Sequence, residues 1–365
     1  MPNREAIGPP PEIGFLFHMI VLKSVKSFLM FPIWMVQLGT GAKSFLDNPL
    51  LGSRRLNRLG LHRVRVQLAG SLCAWRRRRL ARRVRPEWRE AFDHDGFVAI
   101  SDFVAPETFA ALREAILDYH GPAREMRQGD AITRRLAIDP AMLEAIPELR
   151  RQLERADLKA LFAYVAGFRI TPLHYIQTIV THDPGEGADP QEALHADAFH
   201  SSLKAWLFLN PVAHDEAPFT YVRGSHRLTP ERLDWEYRRS LVGPQQMDRL
   251  SGRGSPRVNS AELAEMGLSE PEVFAIPGNT LVVADTLGFH ARGTSVRAVE
   301  RVEIWSYARR NPFLPWLGGD LLSVRGVAER RVGWLWALRD RFAGTIGQPW
   351  QSVGIRKAAG ELGDS

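Results

Sequence analysis

The spacing of apolar positions changes along the chain, and each change marks a region. Residues 13–38, "IGFLFHMIVLKSVKSFLMFPIWMVQL", are densely apolar, with Lys23, Lys26 and Pro32 as interruptions. From Pro86 the texture becomes helical. "PEWREAFDHDGFVAISDFV" reads as a short helix, a turn at Asp95-Gly96 and a strand. "APETFAALREAILDYH" predicts a helix with Pro106 near its start. Asp139 is the expected cap of a helix through "AMLEAIPELRRQLERA", broken at Pro147, and "LKALFAYVAG" predicts another ending at Gly167.

Beyond Gly167 short strand-like runs take over, rich in β-branched and aromatic residues with turn signals between them. They are "RITPLHYIQTIV", "LKAWLFLNPV", "FTYVRGS", "EVFAIP", "TLVVADT" and "ERVEIWSYA". One helical insertion starts at Thr229-Pro230, either a lid or an external helix. No internal repeat is visible. Helices first and many strands afterwards predict an α+β body with a β-barrel or sandwich core.

Charge separates the N-terminal region from the rest. Residues 1–85 hold 16 of the 48 lysines and arginines but three acids, a net of +13; the other 280 residues net −6. The basic residues concentrate in stretches such as "WRRRRLARRVR" (Trp75–Arg85). An apolar run followed by a polybasic one suits a monotopic element on anionic lipid. A helical arm packed on the body or on a second subunit fits the same residues. No nucleic-acid-binding module surrounds the arginines, so no nucleic-acid partner is expected. The longest stretch free of Lys, Arg, Asp and Glu is Ser27–Ala42, shorter than the roughly 18–20 residues a spanning helix needs. No signal-peptide pattern is present. The single cysteine, Cys73, excludes an internal disulfide framework and fits a reducing compartment. The expected location is the cytoplasm, with peripheral attachment to the inner face of the membrane as an option.

The candidate chemistry lies in "ALHADAFHSSLKAWLFLNPV" (Ala193 to Val212). Alternate residues on a strand share a face, so His195 and Asp197 can reach one ion together. A third ligand has to come from a distant strand, and His290 in "VVADTLGFHARGTS" is the best candidate. Two imidazoles and one carboxylate on one side of an ion form the facial set that non-haem Fe(II) oxygenases use, because the other side stays open. Arg301 follows eleven residues after His290, too few for another element, and a guanidinium buried on "VERVEIWSYA" needs an anion. His174 and Gln177 sit on the strand before the ligand pair. His200, His214 and His226 are weaker ligand candidates. No nucleophile motif, dinucleotide fingerprint or P-loop appears.

With these residues the chain resembles the phytanoyl-CoA dioxygenase family of Fe(II)/2-oxoglutarate oxygenases. The resemblance is carried by "HADAFHSSLKAWLFLNPVAHDEAPFTYVRGSHR", "IPGNTLVVADTLGFH" and Arg301, and runs from about Trp88 to about Arg310. It implies a double-stranded β-helix (jelly-roll) core, His195, Asp197 and His290 as catalytic iron ligands, and Arg301 on the distal carboxylate of 2-oxoglutarate. Gln177 and Trp206 match positions lining the co-substrate or substrate pocket. Two departures stand out. Arg223 replaces the usual Pro before Gly-Ser-His. Arg292 replaces a hydroxyl-bearing residue, for which Thr294 can substitute.

The expected organisation is an apolar and Arg-rich arm over 1–85, an oxygenase domain over 86–310 and a C-terminal helical extension and tail over 311–365. The expected activity is hydroxylation of an unactivated C–H in a small or lipid-linked substrate, with O2 consumed and succinate and CO2 as co-products. Two rivals remain: the same chemistry on a soluble metabolite, and a metal-binding barrel without turnover that serves as a membrane or scaffold adaptor. Oligomeric state is open.

Overall fold

The computed structural model describes residues 28–181 and 189–360. Residues 13–27 of the apolar run lie outside it. The predicted helices form where their local signals stand. Asp139 caps Pro140–Ala145 by accepting from the Met142 amide, Pro147 opens the next helix, and Thr229 caps Pro230–Ser240. Ala156–Ala166 ends on Gly167, whose φ of 69° fits a residue without Cβ.

Eleven strands follow in chain order among the described residues. They are β1 (Phe97–Ile100), β2 (His120–Gln128), β3 (Ala131–Ala137), β4 (Leu173–Val180), β5 (Leu203–Phe208) and β6 (Phe219–Tyr221), then β7 (Glu272–Phe274), β8 (Leu281–Asp285), β9 (His290–Arg292), β10 (Glu300–Ala308) and β11 (Gln351–Lys357). Eight form an antiparallel sheet in the order β1-β8-β5-β10-β4-β3-β2-β11; the other three form a small sheet, β7-β6-β9. The architecture is mixed helix and sheet.

Period-two alternation sorts the large sheet into two faces. Leu203, Ala205 and Leu207 of β5 and Val302 and Ile304 of β10 join the main core with Leu112, Leu158 and Leu161 of the helices. The opposite face gives Trp206, Phe208 and Trp305 to a second cluster with Phe219 and Tyr221 of the small sheet. Helices cover one side and the small sheet the other. The register of this inner face matters for the site: Glu303 lies opposite Gln177 and Phe208, Gln177 opposite Arg135, and Trp305 opposite Trp206 and Tyr175.

The structure adds to the sequence reading or departs from it in four places. Residues 120–137 carry no apolar alternation, yet form the β2–β3 hairpin, with Gly129 at φ 58° in its turn. The 311–365 region is not only helical: besides Arg331–Arg341 it supplies β11 to the edge of the large sheet. The N-terminal 1–85 region is no separate arm from about residue 39 onward. In the helix Leu61–Leu80, Arg76 donates to the carbonyls of Gly167, Pro312 and Leu314, and Arg77 pairs with buried Asp285 at 2.8 Å. These arginines hold the body together instead of facing lipid. The insertion helix Pro230–Ser240 packs on this same helix through a 3.0 Å His62–Glu236 contact, and none of its residues lines the central cavity.

Exposed apolar side chains concentrate near the start of the described chain. Helical residues 28–38 present Phe28 and Val36, 81% and 70% accessible, along with Leu29, Phe31, Ile33 and Met35. Among the described residues no helix is long and apolar enough to cross a membrane.

Candidate functional site

His195 and Asp197 do not sit on a regular strand. They lie in an extended segment that bridges across to β9: the amides of His195 and His290 each donate to the other's carbonyl, at 3.0 and 2.9 Å. That bridge makes the two imidazoles neighbours, with ring centroids 4.6 Å apart. The Asp197 amide donates to Thr286 at 2.9 Å, which turns its carboxylate to the same side.

Both imidazoles are oriented by backbone. His195 Nδ1 contacts the Ala193 carbonyl at 2.7 Å and His290 Nδ1 the Gly288 carbonyl at 3.0 Å. A carbonyl only accepts, so each Nδ1 carries the proton and each Nε2 offers a lone pair. The two Nε2 atoms stand 3.7 and 3.8 Å from Asp197 Oδ1, and ligand atoms of all three residues lie within 4.8 Å of one another. Since a metal–nitrogen bond is about 2.0–2.1 Å, donors spaced this way can share one ion. His290 Nε2 is buried with no hydrogen-bond partner in the protein, which a metal bond would relieve.

The electrostatics suit a cation. Burial pushes His290 down to about 4 and His195 well below its ordinary range, so both rings are neutral at pH 7. Burial opposes ionisation of Asp197 too, but Lys204, at 2.7 Å, outweighs it and holds the carboxyl well below the usual range.

The three residues open into a cavity of about 340 Å³ between the two sheets. Gln177 and Trp206, both expected at the pocket, line it. Gln177 links two charged groups, accepting from Arg135 at 2.8 Å and donating to Glu303 at 2.6 Å. Arg301 also lines the cavity, yet the anion it meets is the protein's own: its Nε is 3.0 Å from buried Glu303, and its Nη1 donates to the Ala217 carbonyl. Thr294 is not brought to the site. The chain turns at Gly293, whose amide donates to Pro218 at 2.7 Å, and leaves Thr294 exposed. Arg292 instead faces the cavity, paired with Asp189 at 2.6 Å.

The other histidines stay apart. Buried His200 contacts the Ser201 carbonyl, His226 packs on the Phe92 ring, His174 meets Ser306 Oγ at 2.8 Å, and His214 is exposed. Arg223, in place of the expected Pro, pairs with Asp95 and Glu272.

Four cavity cations had no place in the sequence reading: Lys43, Arg135, Lys204 and Arg309. Lys204 had a signal, being the one charged residue in an apolar strand that alternates with Trp206 and Phe208. Arg135 is wedged over Trp305 and Trp350, 3.9 and 4.4 Å from their ring centres, and burial draws it down to about 10. Lys43 donates to the Asp197 carbonyl from 154 residues away, and burial lowers it to about 8.

Residues 92–259 match the model of the family described as phytanoyl-CoA dioxygenase. The matched range holds His195 and Asp197 and ends before His290 and Arg301. No curated protein matches the chain. Among solved structures it is similar to the epimerase SnoN with Fe3+, alpha ketoglutarate and nogalamycin RO, at 18% identity and a TM-score of 0.41 over 66% of this chain and 92% of that one. HygX from Streptomyces hygroscopicus with nickel and 2-oxoglutarate is similar at 15% identity and a TM-score of 0.39, over 62% and 87%. The carbocyclase SnoK follows at 17% identity and a TM-score of 0.37, over 63% and 85%.

Proposed function

Because the chain is phytanoyl-CoA dioxygenase-like, of the Fe(II)/2-oxoglutarate-dependent enzymes, we propose that it hydroxylates an unactivated C–H of a small or lipid-linked molecule. In this reading His195, Asp197 and His290 hold Fe(II), and Arg301 binds the distal carboxylate of 2-oxoglutarate. The two-sheet body serves as a jelly roll. The observation that carries the reading is the convergence of two backbone-oriented Nε2 atoms and one carboxylate oxygen within 4.8 Å.

Bound iron supplies O2 activation coupled to decarboxylation of 2-oxoglutarate. The chain's own residues do the rest. The Ala193 and Gly288 carbonyls fix the imidazole tautomers. Trp206, Phe208 and Phe219 make an apolar wall that keeps bulk water from the metal side. Asp197 fills the third protein position, which a halogenating site leaves vacant for chloride, so hydroxylation is the favoured outcome.

The test is succinate release from 2-oxoglutarate with Fe(II), ascorbate and O2. Wild type should turn over slowly even without substrate, and Asp197→Ala should fall at least ~100-fold while its circular dichroism is unchanged. No iron-dependent succinate from wild type would favour a metal-binding adaptor.

The exposed apolar helix at 28–38, with exposed Arg54, Arg55 and Arg58 beside it in sequence, supports contact with an anionic membrane surface. Leu29→Glu with Val36→Glu should abolish co-sedimentation with phosphatidylserine vesicles. Equal binding by the variant would remove the membrane from the account.

A further inference from the structure

Six cationic side chains line the cavity: Lys43, Arg135, Lys204, Arg292, Arg301 and Arg309. Three carboxylates answer three of them. Asp197 pairs with Lys204 at 2.7 Å, Asp189 with Arg292 at 2.6 Å, and Glu303 with Arg301 at 3.0 Å. Lys43, Arg135 and Arg309 have no carboxylate partner among the described residues. Loading the site with a divalent ion and a dianionic co-substrate leaves this surplus untouched, because their charges cancel. Burial takes Lys43 and Arg135 out of water while Arg309 stands at the exposed rim, so this surplus suits an anionic guest.

Arg135 is enclosed by aromatic rings and bound to Gln177, so it is occupied. Lys43 and Arg309 are the two that remain, and both stand on the metal side: Lys43 donates to the Asp197 carbonyl, and Arg309 lies two residues after Tyr307, which is opposite the Lys204 that pairs with Asp197. Lys43 is held there by construction. Buried Arg65 donates to the carbonyls of Leu38, Thr40 and Ala42, and the amides of Phe45 and Leu46 both donate to Gly252. At Gly254 a Cβ would lie 2.2 Å from the Lys43 carbonyl, so the loop beneath tolerates no side chain there. A segment that begins beside an exposed apolar helix thus ends as a wall of the site.

We propose that the substrate carries an oxyanion group (phosphate, sulfate or carboxylate) seated between Lys43 and Arg309, at the metal end of the cavity and away from Arg301. This rests on the oxygenase reading for the word substrate, but the anion seat itself does not need turnover. Tyr307, two residues before Arg309, and Trp305 stacked on it give the seat an aromatic flank.

Phenyl phosphate, benzoate and phenol serve as probes, titrated calorimetrically under anaerobic conditions into the full chain holding Fe(II) and saturating 2-oxoglutarate, and into the metal-free chain. Phenyl phosphate or benzoate should bind at least ~10-fold tighter than phenol in both forms, and Lys43→Gln and Arg309→Gln should each weaken the anion ~5–10-fold without weakening phenol. Arg309 is exposed, so its variant keeps the fold if Lys43→Gln does not. Anions binding no better than phenol, variants that bind them like wild type, or displacement of the anion by 2-oxoglutarate would each overturn the seat. Anion binding without any iron-dependent succinate release would sink the oxygenase reading and leave the seat; succinate release without anion preference would do the reverse.

Discussion

The two ends of the cavity are organised in opposite ways. At the metal end, backbone carbonyls orient the ligands: Ala193 and Gly288 fix the imidazoles, and the His195–His290 bridge fixes their separation. The donor atoms are left open. At the other end side chains neutralise one another, with Glu303 between Arg301 and Gln177 and Gln177 between Glu303 and Arg135. One end waits for a cation, while at the other the polar side chains already partner one another. A buried arginine needs its N–H groups met, by carbonyls as at Arg76 or by an anion as at Arg301, whereas a neutral imidazole can wait with its lone pair unused at the cost of one unmade hydrogen bond. On the proposed reading, a co-substrate carboxylate at Arg301 would have to share the guanidinium with Glu303, and its affinity would be set by that competition.

The largest effect that would break this contrast is Arg301→Gln. It should weaken 2-oxoglutarate ~100-fold by calorimetry with metal affinity nearly unchanged, and cost ~3 kcal/mol of stability, because Glu303 stays buried and unpaired. Equal loss of metal and co-substrate would mean the two ends are one unit. Glu303→Gln is the sharper and smaller probe. Removing the competing charge while keeping the amide's hydrogen bonds should tighten 2-oxoglutarate by ~3-fold. Weaker binding instead would show that Glu303 aims the guanidinium and does not compete for it.

Much of the fold was legible because its signals are local. Asp139, Thr229 and Gly167 mark helix ends through contacts within four residues, and β4, β8 and β10 stand out as runs of β-branched and aromatic residues. The β2–β3 hairpin was not legible. Arg124, Glu125, Arg134 and Arg135 read as a solvated stretch, and become strand because β4 and β11 flank them and Glu125 and Gln177 take up the charge. That Gln177 and Trp206 were expected at the pocket came from the family resemblance, and both line the cavity. Thr294 was misplaced because the turn at Gly293 is held by Pro218, 75 residues earlier, and no local rule shows it.

What the sequence alone determined are residue types and short-range geometry: an imidazole and a carboxylate two positions apart, a second imidazole before a turn, helix caps, and short runs rich in β-branched and aromatic residues. These depend on neighbours within a few residues, so they survive translation from text to structure. Which charges meet was decided only in three dimensions. Lys43 reaches the Asp197 carbonyl across 154 positions, and Arg77 reaches Asp285 across 208. Such pairs depend on sheet register and helix packing summed over the whole body, and no spacing rule along the chain encodes that sum.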